Sequence, residues 1–333
     1  MRKTFVLMAA MALTLALAAS AAQAAYQLRI GHHAQAFGSV DVVAWKLGYF
    51  DQTLGKGNYT MKQFSQGKLM AQAILSRSVD VAEVAARPYV SLIGKKVKGL
   101  TAIAVQSYWC GLTSVVVKKG SPLNNLKQLK GRNLIAGKAT STYYGFTHFL
   151  LPALGLKESD FRAINANTTE RIPALIAGTV DFAIVQEPGA SIAISKGLVT
   201  RLKGVDWCKY DDPPFVIAAD PRVVKAHPKV IVNYLRGWLR SAKLFKSDYN
   251  KFTAVYHRHL TSKGRKAPLS VIRSALKGLR MHPQLDDRFY NYSEKMNKVL
   301  LKDKKTRSIA DFRGGQGVMD SFIKAAIKAE NYK

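Results

Sequence analysis

Short apolar stretches rich in β-branched residues alternate with longer amphipathic stretches from Tyr26 to about Phe245. Alternation of this kind is typical of an α/β fold, with buried strands and helices packed on a sheet. Beyond Lys251 the pattern is nearly all helical and rich in Lys and Arg. The predicted strands are Gln27–Ile30, Thr60–Phe64, Val79–Val84, Thr101–Val105, Ser114–Lys118, Asn133–Ala136, Val180–Val185 and Phe215–Ala218. The predicted helices are Val40–Tyr49, Lys68–Ser76, Pro88–Leu92, Tyr143–Leu154, Arg171–Ala177 and Pro228–Phe245.

The chain contains an approximate internal repeat. Leu28-Arg29-Ile30-Gly31 is echoed 106 residues later by Leu134-Ile135-Ala136-Gly137, and the stretch at 74–82 is echoed 101 residues later at 175–183. Each half therefore predicts one lobe with the same plan: a strand, a Gly turn, a helix, and a later helix that leads into a Val-Asp strand. Chance similarity between two generic α/β units is the alternative.

The repeat predicts where a ligand would bind. Open α/β sheets bind ligands beyond the carboxyl ends of their strands, where helix N-termini offer unpaired N–H groups. Two lobes that face each other at these ends would form a cleft. Its predicted lining is Gly31–Gly38, Ala85–Arg87, Gly137–Tyr144 and Gln186–Pro188.

The first 24 residues predict export. Arg2 and Lys3 precede an apolar run that is too short to span a bilayer, and Ala22-Gln23-Ala24 forms an A-x-A cleavage pattern. An uncleaved membrane anchor is the alternative. Because no Cys lies near the cleavage point, we expect a periplasmic protein that begins at Ala25 and is not a lipoprotein.

Charge and cysteine content narrow the possible partners. The 333 residues carry 51 Lys and Arg against 21 Asp and Glu, a net charge of +30. This favours anionic ligands, but the charge is scattered rather than gathered into basic arms, and export argues against nucleic acid. In an oxidising compartment Cys110 and Cys208 are candidates for one disulfide, with two buried thiols as the alternative. No metal site and no cofactor is predicted.

Several motifs resemble one family. They are the Ile30-Gly31 strand end, the run Ser76-Arg77-Ser78-Val79-Asp80-Val81-Ala82, the run Lys118-Lys119-Gly120-Ser121-Pro122-Leu123 with the following Leu126–Gly131, Thr140-Ser141-Thr142-Tyr143, and Gln186-Glu187-Pro188. In order and spacing they resemble the type II periplasmic substrate-binding proteins of ABC importers, in the branch that handles sulfonates, taurine, nitrate and thiamine precursors.

The resemblance implies a two-lobed α/β fold of the periplasmic-binding-protein type II class, with a hinge of two crossing segments and a ligand cleft between the lobes. Lobe one would comprise residues 25–113 and the return at 217–333, and lobe two residues 114–216. The crossings would fall near Gly111–Val117 and Pro214–Ala219. If Cys110 and Cys208 pair, their bridge would lie close to both crossings.

Ser141 and Thr142 are the strongest ligand candidates. They begin a predicted helix, where hydroxyls, backbone N–H groups and the helix dipole favour an anion. Plain helix capping is the alternative. The matching turn of the family also includes Thr140 and Tyr143.

The loop after the first strand is polar and aromatic where the family contacts its substrate. His33 and Gln35 are the predicted hydrogen-bond donors, with Phe37 beside them. If His33 is partly neutral, anion binding would strengthen as the pH falls.

Aromatic and charged candidates complete the predicted site. Tyr108 stands where taurine-type relatives place an acidic residue, which argues against taurine, and an aromatic there or at Trp109 suits an apolar ligand body. Ordinary core packing is the alternative. Next to Ala86, Arg87 would grip a sulfonate or carboxylate, or would simply be a solvated cap. Beside Gln186, Glu187 would bind an amine or pair with Arg87 or a Lys.

The sequence therefore predicts a monomeric periplasmic solute-binding protein that delivers a small organic anion to an ABC permease. A sulfonate is the first expectation and an aromatic carboxylate the second. The sequence contains no recognisable catalytic motif, and the protein is not expected to be an enzyme. Binding or synthesis of a thiamine-pyrimidine precursor, and a sensor that presents its ligand to a membrane receptor, remain as alternatives.

Overall fold

The computed structural model describes residues 26–210 and 212–333, and the predicted export signal at residues 1–24 lies outside them. Ten strands in this part of the chain form two five-stranded sheets. The strands are β1 (Leu28–His33), β2 (Tyr59–Phe64), β3 (Val81–Ala85), β4 (Thr101–Tyr108), β5 (Thr113–Lys118), β6 (Asn133–Ala136), β7 (Arg162–Asn165), β8 (Phe182–Gln186), β9 (Val199–Arg201) and β10 (Pro214–Ala219).

The two sheets have the same internal plan. The first has the order β2-β1-β3-β10-β4 and the second the order β7-β6-β8-β5-β9. The second strand of each order, β1 or β6, runs parallel to both neighbours. The fourth, β10 or β5, runs antiparallel to both neighbours. The predicted α/β architecture with two similar units is therefore confirmed.

Helices cover both sheets. In chain order they are α1 (Ser39–Lys46), α2 (Tyr49–Leu54), α3 (Gly67–Leu75), α4 (Ala86–Gly94), α5 (Ser141–Gly145), α6 (Arg171–Ile176), α7 (Gly189–Ser195), α8 (Trp207–Tyr210), α9 (Pro221–Ala226), α10 (Pro228–Ser247), α11 (Tyr249–Ser262), α12 (Leu269–Leu276), α13 (Asp287–Lys302) and α14 (Ser321–Glu330). A π-helical turn, Phe146–Leu150, and a further α-helical turn, Leu151–Ala153, continue α5. The longest helix, α10, packs against α1, α2 and α14 on the first sheet.

Three local predictions need correction, and the short helices α7, α8 and α9 were not predicted. The helix predicted at Val40–Tyr49 is two helices, because Gly48 adopts a left-handed conformation with φ +69° between them. The polar edge strand β7 was missed because its side chains are mostly exposed and lack an apolar pattern. The edge strand β9 was missed because it is only three residues long. Each predicted strand otherwise matches an observed one to within three residues at either end.

The internal repeat is present, with one correction. Ile30 pairs with Val81 in the first sheet, and Leu134 pairs with Phe182 in the second. The equivalent first strands are therefore 104 residues apart rather than 106, while the later stretch keeps its offset of 101. A shift of two residues preserves the alternation of inward and outward side chains, so the hydrophobic pattern alone did not exclude it.

The chain passes between the sheets twice, and a disulfide joins the two passages. The first connects the end of β4 at Tyr108 to β5, and the second connects β9 to β10. Cys110 lies in the first connection and Cys208 in the second, and their sulfur atoms are bonded, with the Cα atoms 4.8 Å apart. The predicted disulfide is confirmed.

Across the described residues, no helix is both long and apolar enough to cross a bilayer.

Candidate functional site

A narrow cavity lies between the two sheets, at the carboxyl ends of their parallel strands. Its volume is about 30 Å³, and it is closed by residues from both lobes. The lining residues are His33, Phe37, Ser65, Gln66, Gly67, Lys68, Ala85, Pro88, Trp109, Ala139, Thr140, Ser141, Thr142, Thr168, Gln186 and Phe215. This is the position at which open α/β sheets bind ligands.

The first lobe contributes an aromatic wall. Phe37 stacks on Phe215 with ring centroids 4.6 Å apart, and Trp109 meets Phe37 edge-on at 5.2 Å. All three rings are almost fully buried. Gly38 allows the Phe37 loop to fold back over β1, because a Cβ atom at this position would lie only 2.1 Å from the His33 carbonyl oxygen. The wall offers an apolar surface to the body of an organic ligand.

His33 is a neutral donor at the edge of this wall. Burial, together with the neighbouring His32 and Arg265, lowers the pKa of His33 to about 3. A neutral His33 does not supply the positive charge on which the expected strengthening of anion binding at falling pH depends. Its Nδ1 accepts a hydrogen bond from the Gln35 backbone N–H at 3.0 Å. A neutral imidazole that accepts at Nδ1 carries its proton on Nε2, which remains available as a donor.

The second lobe contributes hydroxyl groups at the start of α5. Thr140 caps this helix, since its Oγ1 accepts from the Tyr143 backbone N–H at 3.2 Å. Thr142 Oγ1 accepts from Gln186 Nε2 at 3.3 Å. Ser141 Oγ accepts from the Arg87 backbone N–H at 2.8 Å, and this hydrogen bond joins the two lobes.

A buried cation lies behind these hydroxyls. Arg171 is fully buried, and its guanidinium donates to the carbonyl oxygens of Ala166 and Ile184 and to Gln186 Oε1. Burial lowers the pKa of Arg171 to about 10, which leaves it charged at neutral pH. Within the described residues it forms no ion pair with a carboxylate. Gly137 provides space for it, because a Cβ there would lie 2.5 Å from Arg171 Nη2.

Lys68 adds a second positive charge on the first-lobe side. It lies in the first turn of α3, whose leading N–H groups have no intrahelical acceptor. The Lys68 side chain is exposed and lines the cavity, and it has no hydrogen bond or ion pair with the described residues. Lys68 is thus the positive charge in the lining, Arg171 lies behind the second-lobe hydroxyls, and no Asp or Glu of the described chain is among the lining residues.

The structure brings seven of the predicted ligand residues to the cavity: His33, Phe37, Trp109, Thr140, Ser141, Thr142 and Gln186. The other six lie outside its lining: Gln35, Ala86, Arg87, Tyr108, Tyr143 and Glu187.

Most of these six have partners within the protein. Gln35 Oε1 accepts from Arg265 at 2.9 Å, and the Tyr143 hydroxyl donates to Glu158 at 2.6 Å. The Tyr108 ring is buried beneath the Arg288 guanidinium at 3.7 Å. Ala86 is buried and begins α4.

Arg87 and Glu187 form contacts that an isolated motif could not reveal. The Arg87 guanidinium donates to the Ala139 carbonyl oxygen at 2.9 Å and lies 4.2 Å from the Tyr144 ring, so Arg87 of the first lobe is held by the second. Glu187 pairs with Arg201 at 2.7 Å, and burial raises the pKa of its carboxyl group.

Several lining residues were not predicted: Ser65, Gln66, Gly67, Lys68, Pro88, Thr168 and Phe215. A signal was available for the first four. They follow β2, which is parallel to β1 and ends at the same edge of the sheet. Ligands bind at the carboxyl ends of parallel strands, so residues 65–68 after β2 could have been predicted in the same way as those after β1. Thr168 follows β7, which was itself missed.

The known proteins most informative for this architecture are two-lobed binding proteins. The periplasmic aliphatic sulphonate binding protein SsuA from Escherichia coli superposes with a TM-score of 0.71 at 19% identity, covering 87% of this chain and 96% of that one. The alkanesulfonate-binding protein SsuA from Xanthomonas axonopodis pv. citri, bound to MOPS, gives 0.75 at 17%, covering 90% and 100%. The periplasmic nitrate-binding protein NrtA from Synechocystis PCC 6803 gives 0.71 at 12%, covering 91% and 89%. At sequence identities this low, the structural similarity establishes the fold and nothing further.

A comparison with curated protein sequences finds no match. A sequence model of the family described as NMT1/THI5 like matches residues 42–248, more than half of the chain. This stretch contains the second lobe and most of the cavity lining. The chain therefore belongs to the NMT1/THI5-like family and has the two-lobed α/β fold of the periplasmic binding proteins.

Proposed function

We propose that this protein is the periplasmic solute-binding component of an ABC importer and captures a small organic anion between its lobes. The observation that carries the proposal is the make-up of the cavity. Hydroxyl groups and the free Lys68 ammonium line it, the Arg171 guanidinium lies behind the lining residue Gln186, and no carboxylate of the described residues lines it. A carboxylate-free, positively charged cavity favours an anion over an amine.

A sulfonate is the first choice of ligand, and an aromatic carboxylate is the second. The donors approach from Lys68 on one side and from the start of α5 on the other, which suits a group with several acceptor oxygens. The wall formed by Phe37, Trp109 and Phe215 suits an apolar or flat body attached to that group. Similar proteins of the same fold include one bound to MOPS and one described as nitrate-binding.

Ligand entry requires the lobes to separate. A cavity of about 30 Å³ holds only a few water molecules, so an organic anion cannot enter without movement. We propose that residues 25–113 with 217–333 move as one body and residues 114–216 as the other, about the two connections joined by the disulfide. Such hinge closure is a common response of two-lobed proteins to a ligand.

The remaining parts of the proposal concern export, the membrane partner and the fate of the ligand. We propose that the chain is exported, cleaved after Ala24 and not lipidated, and that the monomer docks on an inner-membrane permease. We also propose that it binds its ligand without converting it. Both cysteines are held in the disulfide, so neither is a free thiol for chemistry.

The test is a thermal-shift screen against alkanesulfonates, aromatic carboxylates, nitrate and pyrimidines, followed by calorimetric titration of the compound that stabilises most. A ligand that binds only the folded state raises the melting temperature. We expect a sulfonate or carboxylate to give the largest shift, with a dissociation constant of about 1 μM or lower.

We expect Lys68→Met to weaken binding of that compound at least tenfold. The matched variant Lys298→Met removes a lysine of α13, away from the cavity, and should leave the affinity unchanged. Stabilisation by pyrimidines alone, or equal affinity in wild type and Lys68→Met, would contradict the proposal.

A further inference from the structure

A second recess lies at the opposite end of the first sheet from the ligand cavity. It has a volume of about 240 Å³ and is lined by Tyr26, Arg29, Arg77, Asp220, Arg222, Val223, Ala226 and His227. These residues surround the start of β1 and the end of β10, whereas the cavity lies at the end of β1 and the start of β10. The recess is therefore separate from the site of the proposed function.

The charges of this recess do not balance. Arg29 pairs with the buried Asp80, and Arg222 pairs with Asp220 through its Nε and Nη2 atoms. Both carboxylates are thereby neutralised. The guanidinium of Arg77 forms no hydrogen bond or ion pair with any described residue, and Nη1 of Arg222 also lacks a protein partner. The guanidinium of Arg77 thus lies beside two hydrogen-bonded pairs without a hydrogen-bonded carboxylate of its own, close enough to Asp220 to help lower the pKa of that carboxyl group.

The turn at Arg77 does not require an arginine. Arg77 has φ +62°, in the left-handed region that non-glycine residues rarely adopt. The equivalent position of the second lobe, 101 residues later, is Gly178 with φ +77°. Glycine adopts this conformation without steric cost, and the turn is otherwise the same. Arginine thus stands where the repeat uses glycine, so a charged side chain is presented at a turn that the fold also forms without one.

An aromatic pair forms one wall of the recess. The rings of Tyr26 and His227 are stacked with centroids 3.9 Å apart. The planar fork of a guanidinium matches tetrahedral and planar oxyanions by paired hydrogen bonds.

We propose that this recess binds a phosphate group, with Arg77 as the principal donor and Arg222 Nη1 as the second. Donors on two separate side chains favour a group with more than two acceptor oxygens, so phosphate is preferred over carboxylate. The same chemistry occurs in free phosphate and in the headgroup of an anionic phospholipid.

The test is calorimetric titration of the purified protein with inorganic phosphate at low ionic strength. We expect saturable binding at one site, weakened at least tenfold in Arg77→Gly. The matched control is Lys304→Gly, which removes a positive charge from another exposed left-handed position, φ +56°, in the loop after α13. It should bind phosphate within twofold of wild type. Arg77→Gly should melt at or above the wild-type temperature because the backbone strain is released, and Arg77→Asn, which also tolerates this conformation, repeats the measurement.

Two further arms complete the test. Flotation with phosphatidylglycerol vesicles identifies the source: vesicle binding that Arg77→Gly abolishes points to a lipid headgroup, and phosphate binding without vesicle binding points to a free phosphate. Absence of saturable phosphate binding, equal loss in Lys304→Gly, or acetate binding as tight as phosphate would overturn the proposal. Affinity for the cavity ligand should not change in Arg77→Gly, so this result and that of the Lys68 test are independent.

Discussion

Asp80 and Asp181 hold the same place in the two sheets but have different surroundings. Each carboxylate accepts a hydrogen bond at 2.8 Å from a backbone N–H of the neighbouring first strand, Arg29 in one sheet and Asn133 in the other. Each aspartate also donates its own N–H to that residue's carbonyl oxygen. Asp80 is nearly inaccessible and is held by the Arg29 side chain, whereas the side chain of Asp181 is 29% exposed, with Arg132 at 3.8 Å.

The comparison separates what the fold requires from what this protein has added. In both lobes an aspartate that accepts a backbone hydrogen bond precedes a strand, Asp80 before β3 and Asp181 before β8. A left-handed residue, Arg77 or Gly178, comes three positions before each aspartate. Only in the first lobe does an arginine side chain donate hydrogen bonds to this acceptor, whereas Arg132 of the second lobe lies 3.8 Å from it. The same division appears at the other end of the sheets, where the first lobe supplies aromatic rings and Lys68 and the second supplies hydroxyls backed by Arg171. The two lobes therefore share a backbone plan but contribute different side chains to the cavity.

The largest expected effect comes from the bond that joins the two lobes. Cys110→Ser with Cys208→Ser removes a cross-link between residues 98 apart, and we expect the free energy of unfolding to fall by about 4 kcal/mol, because the unfolded chain gains conformational freedom. Equilibrium urea unfolding measures the loss, and wild type under reducing conditions should match the double variant. A loss below about 1 kcal/mol would show that the tie contributes little to stability.

The two aspartates themselves give the next effect. Asp80→Ala leaves Arg29 and its backbone N–H without their buried acceptor, and should cost about 2–3 kcal/mol, less than a fully buried pair because the Arg29 side chain is 42% exposed. Asp181→Ala loses one backbone hydrogen bond at a partly exposed position and should cost about 1 kcal/mol. Urea unfolding of both variants compares them. Equal losses would mean that the arginine surroundings of Asp80 add nothing to its role.

The hydroxyls of the second lobe should govern ligand affinity. Ser141→Ala with Thr142→Ala should weaken binding of the ligand found in the screen at least tenfold, because two polar groups at the start of α5 are lost. The control, Ser195→Ala at the exposed end of α7, should change the dissociation constant less than twofold. An unchanged affinity in the double variant would remove the start of α5 from the site.

The last effect is measured as a change with pH and concerns a buried pair of the first lobe, Glu83 and Asp41. Glu83 on β3 lies beside Asp41, where the equivalent residue of the second lobe is Ile184. Burial and the neighbouring Asp41 raise the pKa of Glu83 well above its usual value. The folded state therefore keeps a proton that the unfolded state releases above about pH 4.5, and stability falls as the pH rises from there toward the folded pKa.

Glu83→Gln removes this proton linkage. We expect the stability of the variant relative to wild type to increase between pH 5 and pH 7 by at least about 1 kcal/mol, since one pKa unit corresponds to about 1.4 kcal/mol. Urea unfolding at the two pH values measures the difference. Parallel pH profiles would contradict a shared proton in this pair.

Most of the fold could be predicted from the sequence because buried strands carry their own signal. The eight predicted strands are apolar or alternating, and the Val-Asp repeat revealed the two lobes. The edge strands β7 and β9 could not be found, because edge position needs neither burial nor length. The two-residue error in the repeat has a similar cause: β1 and β6 have the same alternation in either register.

Site residues that directly follow a strand end could be predicted from the sequence. Residues whose role depends on contacts with distant parts of the chain could not. Ser141, Thr142 and Gln186 follow the repeated strands, and the structure places them at the cavity. Arg87 follows a strand end too, yet it contacts Ala139 and Tyr144 of the other lobe, a pairing that no local pattern encodes. Arg171 lay in a predicted helix, but its burial depends on the space left by Gly137.

The crystal structure of the complex with the ligand from the screen is the most direct test of the central claim. We predict that the anionic group of the ligand lies within hydrogen-bond distance of Lys68 and of the Ser141 and Thr142 hydroxyls, with its body against Phe37 and Trp109. A ligand bound outside the space between the two sheets, or one whose cationic group contacts this cavity, would contradict the account.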